Sequence, residues 1–424
     1  MKYVLIGNSA AGVGALEAIR KYDTAGEIVL ISDETHHTYS RPLISYYLGG
    51  KVGEDRMYYR PLDFYTKNRV TPMLGTRVVA VDAKQRLVKT EKGDKIQYDR
   101  LLVATGGVPF VPKIENGVRG ETFYTFTTWD EAREVKKAAE GIKHVVIVGG
   151  GLIGVKAAEG FSDLGIKVTI VELAGGILNV ALDETASAMM TEAARGVGIE
   201  VLAGTTLTKI ETSGKKVTGV VLKDGAKIGC DLVVVAIGVV PNTGLLKDSG
   251  VALNRGVLVD NQMATNMPDV YAAGDVAEGP SVLEEARRVV PIWPNAYRMG
   301  KVAGMNMAGK LDVYDGSMAM NSVEVNHLPI ISVGLSRASG PEFEIMTRID
   351  RTARIYRKII LRDDVVVGAI LVNSIDRAGI FTGLIRDKIN VQNFKQSLIE
   401  DKFGYISMPR QLRRDRLEAM GVQQ

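Results

Sequence analysis

A spacing of three glycines, Gly149-x-Gly151-x-x-Gly154, follows an apolar segment and precedes a stretch with a helical pattern. Glycines at this spacing let the chain turn tightly and bring backbone N–H groups to a pyrophosphate at the start of the helix. Glu172 closes the next apolar strand, 18 residues after Gly154. A carboxylate there can accept hydrogen bonds from the ribose hydroxyls of NAD and repels a 2′-phosphate, so the pattern predicts a site for NAD(H) rather than NADP(H). The residues assigned to this site are Gly149, Gly151, Leu152, Ile153, Gly154, Glu172 and Gly238.

A second turn of the same kind lies at the N-terminus, where Gly7-x-Ser9-x-x-Gly12 follows an apolar strand. Serine occupies the second glycine position, and it is small enough to leave room for a pyrophosphate. Asp33 and Glu34 follow the second strand of this unit, and Glu34 is the favoured ribose ligand. For both turns the alternative is a glycine-rich connection that only shapes the fold.

The elements that must position these turns occur twice in the same order. Each unit has an apolar strand, a glycine-rich turn, a helical stretch and a second apolar strand, and the two copies are offset by 142 residues from Gly7 to Gly149. This duplication predicts two βαβ units. Residues 270–275 form a further apolar strand that ends in Gly-Asp and has no counterpart in the second unit. The arrangement that fits these observations has the second unit inserted in the first.

The predicted fold is therefore α/β, with two Rossmann-like FAD- and NAD-binding domains, one inserted in the other, and a smaller α+β C-terminal domain. Residues 1–112 and 251–320 are assigned to the first domain, 113–250 to the second and 321–424 to the third. Within the third domain, residues 355–361 and 365–372 are expected to form paired strands around a short turn, and a helix is expected to follow.

Composition narrows the class of protein. The chain has 424 residues, of which 46% are hydrophobic and 24% charged, as in globular proteins. It has neither a continuous apolar stretch long enough to span a membrane nor the pattern of a signal peptide, so a cytoplasmic location is expected. A single cysteine, Cys230, excludes an internal disulfide and an iron–sulfur cluster held by this chain alone. The four histidines lack metal-ligand spacing, so no metal site is predicted.

Three segments resemble the FAD motifs of the pyridine nucleotide–disulfide oxidoreductase superfamily: residues 7–12, 104–106 and 271–275. Residues 39–45 and 320–322 are similar to the NADH:rubredoxin oxidoreductases and nitrite-reductase-like flavoproteins within it. The resemblance covers nearly the whole chain. It implies that the chain binds FAD, with Asp275 on the ribitol and residues 41–42 beside the flavin. The FAD residues assigned from the turn and from the resemblance are Gly7, Ser9, Ala10, Ala11, Gly12, Asp33, Glu34, Arg41, Pro42, Ala104, Thr105, Gly106, Gly274, Asp275 and Trp293.

The chemistry expected of this site is the exchange of a hydride between NAD(H) and FAD, in which the cofactors supply the reactivity. Disulfide reductases of the superfamily pass electrons to a cysteine near the flavin, but residues 35–50 contain none, and Cys230 is expected to be a small core residue. Lys156 is the candidate catalytic side chain. Family members often carry glutamate at that position, near the nicotinamide, so the charge is reversed in this chain. If Lys156 faces the flavin, its positive charge favours an anionic reduced ring and raises the reduction potential of the flavin. The alternative is a lysine that extends into solvent.

The leading functional hypothesis is an NADH-linked electron-transfer flavoprotein whose partner is rubredoxin, ferredoxin or an iron–sulfur subunit, with electrons flowing in either direction. A candidate setting is the NAD-reducing subunit of a larger complex, such as a tungsten aldehyde oxidoreductase. The alternatives are a free-standing NADH oxidase or peroxidase, and a flavin-bound structural or signalling protein. The absent cysteine argues against the usual peroxide chemistry. The sequence leaves the oligomeric state open and indicates no nucleic-acid partner.

The last twenty residues are rich in arginine. Arg410, Arg413, Arg414 and Arg416 lie close together, and on a helix three of them would flank Leu417. One interpretation is a docking element for an acidic electron carrier, because complementary charge speeds encounter. The other is a solvated tail of the kind common at chain termini.

Overall fold

The computed structural model describes the backbone of residues 1–419 and the side chains of residues 1–414. Up to residue 73 the chain forms strands that alternate with helices, as the apolar segments and glycine turns predict, and residues 78–109 form further strands with no helix between them. The elements of the first 112 residues are β1 (Lys2–Ile6), α1 (Ala10–Tyr22), β2 (Glu27–Ile31), α2 (Ile44–Leu48), α3 (Phe64–Lys67), β3 (Val70–Met73), β4 (Val78–Asp82), β5 (Leu87–Thr90), β6 (Lys95–Gln97), β7 (Arg100–Val103) and β8 (Gly107–Pro109).

The next segment, up to residue 250, repeats the plan. Its elements are β9 (Tyr124–Thr125), α4 (Trp129–Ala138), β10 (His144–Val148), α5 (Leu152–Asp163), β11 (Lys167–Glu172), α6 (Glu184–Gly196), β12 (Ile199–Ala203), β13 (Leu207–Ser213), β14 (Lys216–Leu222), β15 (Lys227–Ile228), β16 (Leu232–Val235) and β17 (Val239–Pro241).

The remainder first returns to the N-terminal sheet and then builds a separate antiparallel one. Its elements are β18 (Val257–Leu258), β19 (Val270–Ala272), β20 (Ala277–Glu278), α7 (Trp293–Met307), β21 (Met320–Val325), β22 (Leu328–Gly334), β23 (Glu344–Asp350), β24 (Ile355–Arg362), β25 (Val365–Val372), α8 (Ala378–Arg386) and α9 (Arg410–Ala419).

Two parallel sheets with the same plan organise the molecule. The first has the strand order β19-β7-β1-β2-β3 and the second the order β12-β11-β10-β16-β9. The central strands are apolar along their length because both faces of each sheet are covered, and Val4 and Leu5 of β1 are fully buried. Helices cover one face of the second sheet, and the antiparallel strands β13 and β14 cover the other. Since β19 joins the sheet of β1, the second unit is inserted in the first. This arrangement confirms the predicted fold class.

One expectation from the sequence is wrong. Residues 270–275 were expected to have no counterpart in the second unit, but the position that β19 occupies beside β7 is occupied by β9 beside β16, through the parallel pairing of Tyr124 with Val234. The strand is only two residues long and precedes the rest of its unit in the chain. An apolar pattern cannot reveal so short a strand.

The C-terminal sheet is antiparallel, in the order β21-β22-β25-β24-β23. Strands β24 and β25 pair around the turn at residues 363–364, which confirms the predicted hairpin. One face of the sheet packs against the second domain, through residues that include Tyr356, Ile370 and Val372, and helix α8 covers the other face. None of the helices in residues 1–419 combines the length and the apolar character that crossing a membrane requires.

Helices α1 and α7 approach each other closely because glycines line their contact. A Cβ atom on Gly300 would overlap the carbonyl oxygen of Ala11, and one on Gly304 would overlap that of Ala15. This backbone-to-backbone approach places the middle of α7 beside the start of α1.

We expect Gly300→Ala to destabilise the protein by about 2–4 kcal/mol, because the added methyl group must push the two helices apart. The matched control is Gly379→Ala in α8, where the Cβ would meet no atom within 4 Å and the free energy of unfolding should stay the same or rise by about 0.5–1 kcal/mol. Urea unfolding of the two variants measures the difference. Equal stabilities would show that the helix contact can relax at no cost.

Candidate functional site

The two glycine-rich turns have the same geometry. Gly7 and Gly149 adopt φ values of 121° and 110°. The N–H of Gly7 donates to the carbonyl of Ile31 in β2, and that of Gly149 donates to the carbonyl of Val171 in β11, each over 2.8 Å. A Cβ on the third glycine of either motif would overlap the carbonyl oxygen of the first. Glycine is therefore required at the first position by conformation and at the third by close packing of helix on strand.

The second position of the motif tolerates serine for a structural reason. Ser9 and Gly151 are the N-cap residues of α1 and α5, and both have negative φ values with extended backbone. A Cβ on Gly151 would meet no atom within 4 Å. The serine that departs from the family pattern therefore causes no strain in the turn.

The helices that follow these turns begin without a side-chain cap. Neither Ser9 nor Gly151 makes a side-chain hydrogen bond to the first turn of its helix. Helices α4 and α6, in contrast, are capped by the side chains of Thr128 and Asp183. The first turns of α1, with Ala10 and Ala11, and of α5, with Leu152 and Ile153, thus present backbone N–H groups that suit a phosphate.

The other predicted FAD motifs lie beside the first turn. A Cβ on Gly7 would overlap the carbonyl oxygen of Ala104, which directly follows β7, and a Cβ on Gly274 would lie 3.0 Å from the Cβ of Ala11. Gly274 has a φ of 83°, which L side chains rarely adopt. Three segments that are distant in the chain therefore meet at the start of α1.

A backbone connection joins this region to the second domain. Thr105 donates its hydroxyl to the carbonyl of Asn242 over 2.7 Å, and the N–H of Asn242 donates to the carbonyl of Gly106 over 2.9 Å. Strands β8 and β17 continue the contact as an antiparallel pair. Gly238 lies just before β17, with a φ of 114° and open space around its Cβ position.

Asp275 is the group in this region that fits a bound ribitol chain. Burial raises the pKa of its carboxyl from 3.8 to about 6, with Arg41 acting in the opposite direction. Within residues 1–414 it accepts no hydrogen bond, and a half-buried carboxylate is stabilised by donors such as hydroxyl groups. Trp293 begins α7 nearby, with its ring edge-on to Tyr59 at 5.0 Å. The residues present therefore fit FAD.

The predicted ribose ligand of FAD belongs to a network that also reaches α4. Glu34 forms an ion pair with Arg41 and accepts the hydroxyl of Tyr39 over 2.6 Å. Tyr39 in turn accepts the backbone N–H of Trp129 over 3.0 Å, and Arg41 donates to the carbonyl of Thr127. Asp33 and Pro42, the neighbours of Glu34 and Arg41, are both exposed. The assignment of Glu34 to the ribose stays a prediction.

Glu172 lies directly against the second turn. Its carboxylate accepts the N–H of Gly150 over 2.6 Å and that of Ala174 over 2.7 Å. The carboxylate is therefore at the position where an acid can reach the ribose of a dinucleotide bound across the turn. The next residue, Leu173, is exposed, and none of residues 173–176 is basic.

Lys156 lies on the seam between the two dinucleotide-binding domains rather than extending freely into solvent. Its ammonium group forms an ion pair with Glu159 and lies 5.2 Å from the ring centroid of Tyr46 in α2. Burial raises the pKa of Glu159. The sequence reading missed both partners. The spacing of three residues between Lys156 and Glu159 could have revealed the first, whereas Tyr46 comes from another domain.

The remaining candidates take no part in the site. Cys230 is 4% exposed in the core of the second domain, and burial raises the pKa of its thiol to about 12. His36 pairs with Asp130 at 2.6 Å, and the ring of His37 lies against that of Tyr65. Among the side chains of residues 1–414, no group of three or more His, Cys, Asp or Glu residues is arranged to hold a metal ion.

Comparison with known proteins adds to this geometry. The profile of the family described as pyridine nucleotide-disulphide oxidoreductase matches residues 1–300, and that of the rubredoxin NAD+ reductase C-terminal domain matches residues 320–389. Among solved structures, the chain is similar to a ferredoxin reductase for the CYP199A2 system from Rhodopseudomonas palustris. That likeness has a TM-score of 0.80 and 28% identity, and it covers 88% of this chain and 91% of the other.

Two characterised relatives have a similar length. The epsilon subunit of an NADH-dependent phenylglyoxylate dehydrogenase from Aromatoleum evansii is 32% identical over 390 residues, which are 91% of this chain and 91% of that protein. An NADH oxidase from Methanocaldococcus jannaschii is 32% identical over 346 residues, which are 80% of this chain and 74% of that protein.

We expect Asp275→Ala to lower the flavin content of the purified protein by about tenfold at limiting flavin, because the lost hydrogen bonds to a charged group are worth roughly 1.5–3 kcal/mol. The matched control is Asp315→Ala, which removes an exposed carboxylate that pairs with Arg298 at 3.3 Å. Flavin released by heat and identified by chromatography gives the occupancy. Equal FAD content in both variants, or release of FMN, would contradict the assignment of Asp275.

Proposed function

The chain belongs to the pyridine nucleotide-disulphide oxidoreductase family, and from this premise we propose that it exchanges electrons between NAD(H) and a one-electron iron–sulfur protein. Family membership confirms the predicted resemblance, the cofactors FAD and NAD(H), and the class of oxidoreductase. Bound FAD supplies the ability to take up two electrons together and to release them singly. The identity of the partner and the residues of the site are the parts that we propose.

The observation that carries the proposal is the match of residues 320–389 to the rubredoxin NAD+ reductase C-terminal domain. The position of Cys230 supports it, because a buried thiol with a pKa of about 12 is a poor electron relay. Electrons that do not leave through a cysteine of this chain need an external acceptor or donor. A one-electron carrier protein meets that requirement.

In the proposed site, the chain binds and orients the two dinucleotides and excludes water from them. The uncapped starts of α1 and α5 hold the two pyrophosphates, and the acids Glu34 and Glu172 hold the riboses. The paired strands β8 and β17 fix the two sites relative to each other. No side-chain nucleophile is needed.

We further propose that the chain acts as the NAD(H)-reactive subunit of a larger redox enzyme. The epsilon subunit of the phenylglyoxylate dehydrogenase supports this setting, because it matches this chain over 91% of both lengths. A second candidate is a free-standing NADH oxidase, which the relative from Methanocaldococcus jannaschii favours. The two roles differ in what accepts the electrons.

Two assays with NADH separate the two candidates: reduction of carrier proteins by anaerobic stopped flow, and oxygen uptake in air-saturated buffer. We expect the flavin-loaded chain to reduce rubredoxin or a ferredoxin at least about tenfold faster than it consumes oxygen, because an electron-transfer site is built for docking rather than for oxygen chemistry. Fast oxygen consumption with slow reduction of every carrier would favour the oxidase instead. Negligible turnover with all acceptors would contradict both.

The beginning of the arginine-rich C-terminal segment packs against the C-terminal domain. Met408 is 2% exposed, Leu412 packs against the core of the C-terminal domain, and α9 starts at Arg410. Arg410 and Arg414 are exposed. The sequence predicts that Leu417 shares a helix face with Arg410, Arg413 and Arg414. The side chain of Leu417 lies outside the described residues, as does that of Arg416. The contacts of Met408 and Leu412 mean that truncation before them would expose core.

Charge reversal therefore tests the docking role better than truncation. We expect Arg410→Glu with Arg414→Glu to slow electron exchange with an acidic carrier by about tenfold at low salt, because rim charges mainly alter the rate of encounter. The difference should shrink as ionic strength rises. The matched control is Lys215→Glu with Lys223→Glu, two exposed positions on the second domain. Equal rates for the two double variants would exclude α9 as the docking element.

We propose that Lys156 faces the bound flavin and raises its potential, since its ammonium group lies in the second turn of α5 on the seam with α2. Lys156→Met should lower the two-electron potential by about 20 mV or more, which is roughly 1 kcal/mol. Lys51→Met is the control, because Lys51 pairs with Asp163 at the far end of α5, about 10 Å along the helix. Spectroelectrochemical titration measures both, and equal potentials would exclude this role.

A further inference from the structure

The segment after Glu172 supports the second glycine-rich turn. Leu178 donates its N–H to the carbonyl of Gly150 over 2.7 Å, while Glu172 accepts the N–H of Gly150. Both backbone polar groups of this turn residue are therefore occupied by the same segment. Leu178 adopts a φ of 58°, a left-handed conformation that is unfavourable for a leucine. Other contacts must hold the segment in this shape.

Two of these contacts come from the loop after β22 in the C-terminal domain. The hydroxyl of Ser336 donates to the carbonyl of Ala181 over 2.8 Å, and the guanidinium of Arg337 donates to the carbonyl of Asn179. Ser336 and Ala181 are buried. The two donors thus bind backbone groups on either side of Val180, which is itself 93% exposed.

Two further contacts come from β24. The hydroxyl of Tyr356 donates to Oδ2 of Asp183 over 2.7 Å, and Nζ of Lys358 lies 3.1 Å from the same oxygen. The other oxygen of Asp183 caps α6 by accepting the N–H of Ala186 over 3.0 Å. Both Tyr356 and Lys358 are buried, so solvent screens these interactions little.

The packing shows that the three parts adjoin. A cavity of about 10 Å³, roughly the space of one water molecule, lies between the start of α5, the supporting segment and the C-terminal sheet. It is lined by residues that include Leu152, Leu178, Leu182, Asn321 and Ser332. The C-terminal sheet therefore lies one residue layer from the turn.

We propose that the C-terminal domain positions the NAD(H)-binding turn. Ser336, Arg337, Tyr356 and Lys358 hold residues 177–183 so that Leu178 keeps Gly150 in place, and the nucleotide meets a turn that is already shaped. These four are positioning residues and do not touch the nucleotide. The inference rests on the proposed NAD(H) site at residues 149–154. It gives the C-terminal domain a task in nucleotide binding in addition to any contact with an electron partner.

The test uses two small changes in the full-length, FAD-loaded protein, Tyr356→Phe and Arg337→Ala. Flavin reduction is followed by anaerobic stopped flow over a range of NADH concentrations. We expect the NADH concentration at half-saturation to rise about three- to tenfold, as loss of one hydrogen bond to the supporting segment predicts. The limiting rate of reduction and the FAD content should stay unchanged, because the flavin site is untouched.

The controls are Arg348→Ala, whose ion pair with Asp401 at 2.6 Å stays within the C-terminal domain, and Tyr314→Phe, whose hydroxyl lies 3.1 Å from Ser317 in the first domain. Both control variants should reach half-saturation at the same NADH concentration as the wild type. Unchanged half-saturation in both test variants would overturn the proposal. The proposal would also be overturned if the limiting rate of flavin reduction and the FAD content fell together in the test variants, because that result indicates a general structural role. Absence of saturable reduction by NADH in the wild type would instead overturn the nucleotide site, and this inference with it.

Discussion

The molecule depends on the close approach of backbone to backbone at its glycines. In both units the third glycine of the turn lies against the carbonyl of the first, so that a helix starts directly at the carboxyl end of a central parallel strand. Glycines of α7 allow the same approach to α1. No other side chain would leave room, and without these contacts the helix starts would move away from the sheet. The positions of the starts of α1 and α5 are consequences of this packing.

The two sites differ in what surrounds the turn. In the second unit, Glu172 and Leu178 hold Gly150 from within the same domain, and the C-terminal sheet supports that segment through Asp183. In the first unit, Glu34 joins Arg41 and Tyr39 in a network that ends on the first residues of α4, in the other domain. In both units, a segment beside the glycine-rich turn is thus in contact with a neighbouring domain.

The one cysteine of the chain lies away from the glycine-rich turns. Cys230 lies in the core, and Lys156, on the seam between the two dinucleotide-binding domains, contacts Glu159 and Tyr46. Among the side chains of residues 1–414, no group of three or more His, Cys, Asp or Glu residues is arranged to hold a metal ion. In the C-terminal domain, residues 320–389 match the rubredoxin NAD+ reductase C-terminal domain, and α9 begins at the exposed Arg410.

The sequence alone determined the duplicated units, the glycine-rich turns, the acid at Glu172 and the hairpin of β24 and β25, because these follow from local spacing and apolar periodicity. It also indicated the family through short motifs. Tertiary structure alone decided that β9 completes the second sheet, that Tyr46 faces Lys156, and that Tyr356 and Lys358 hold Asp183. These partners are separated by more than a hundred residues in the chain, or form a strand of two residues. Such contacts arise from how domains pack, and no local pattern records them.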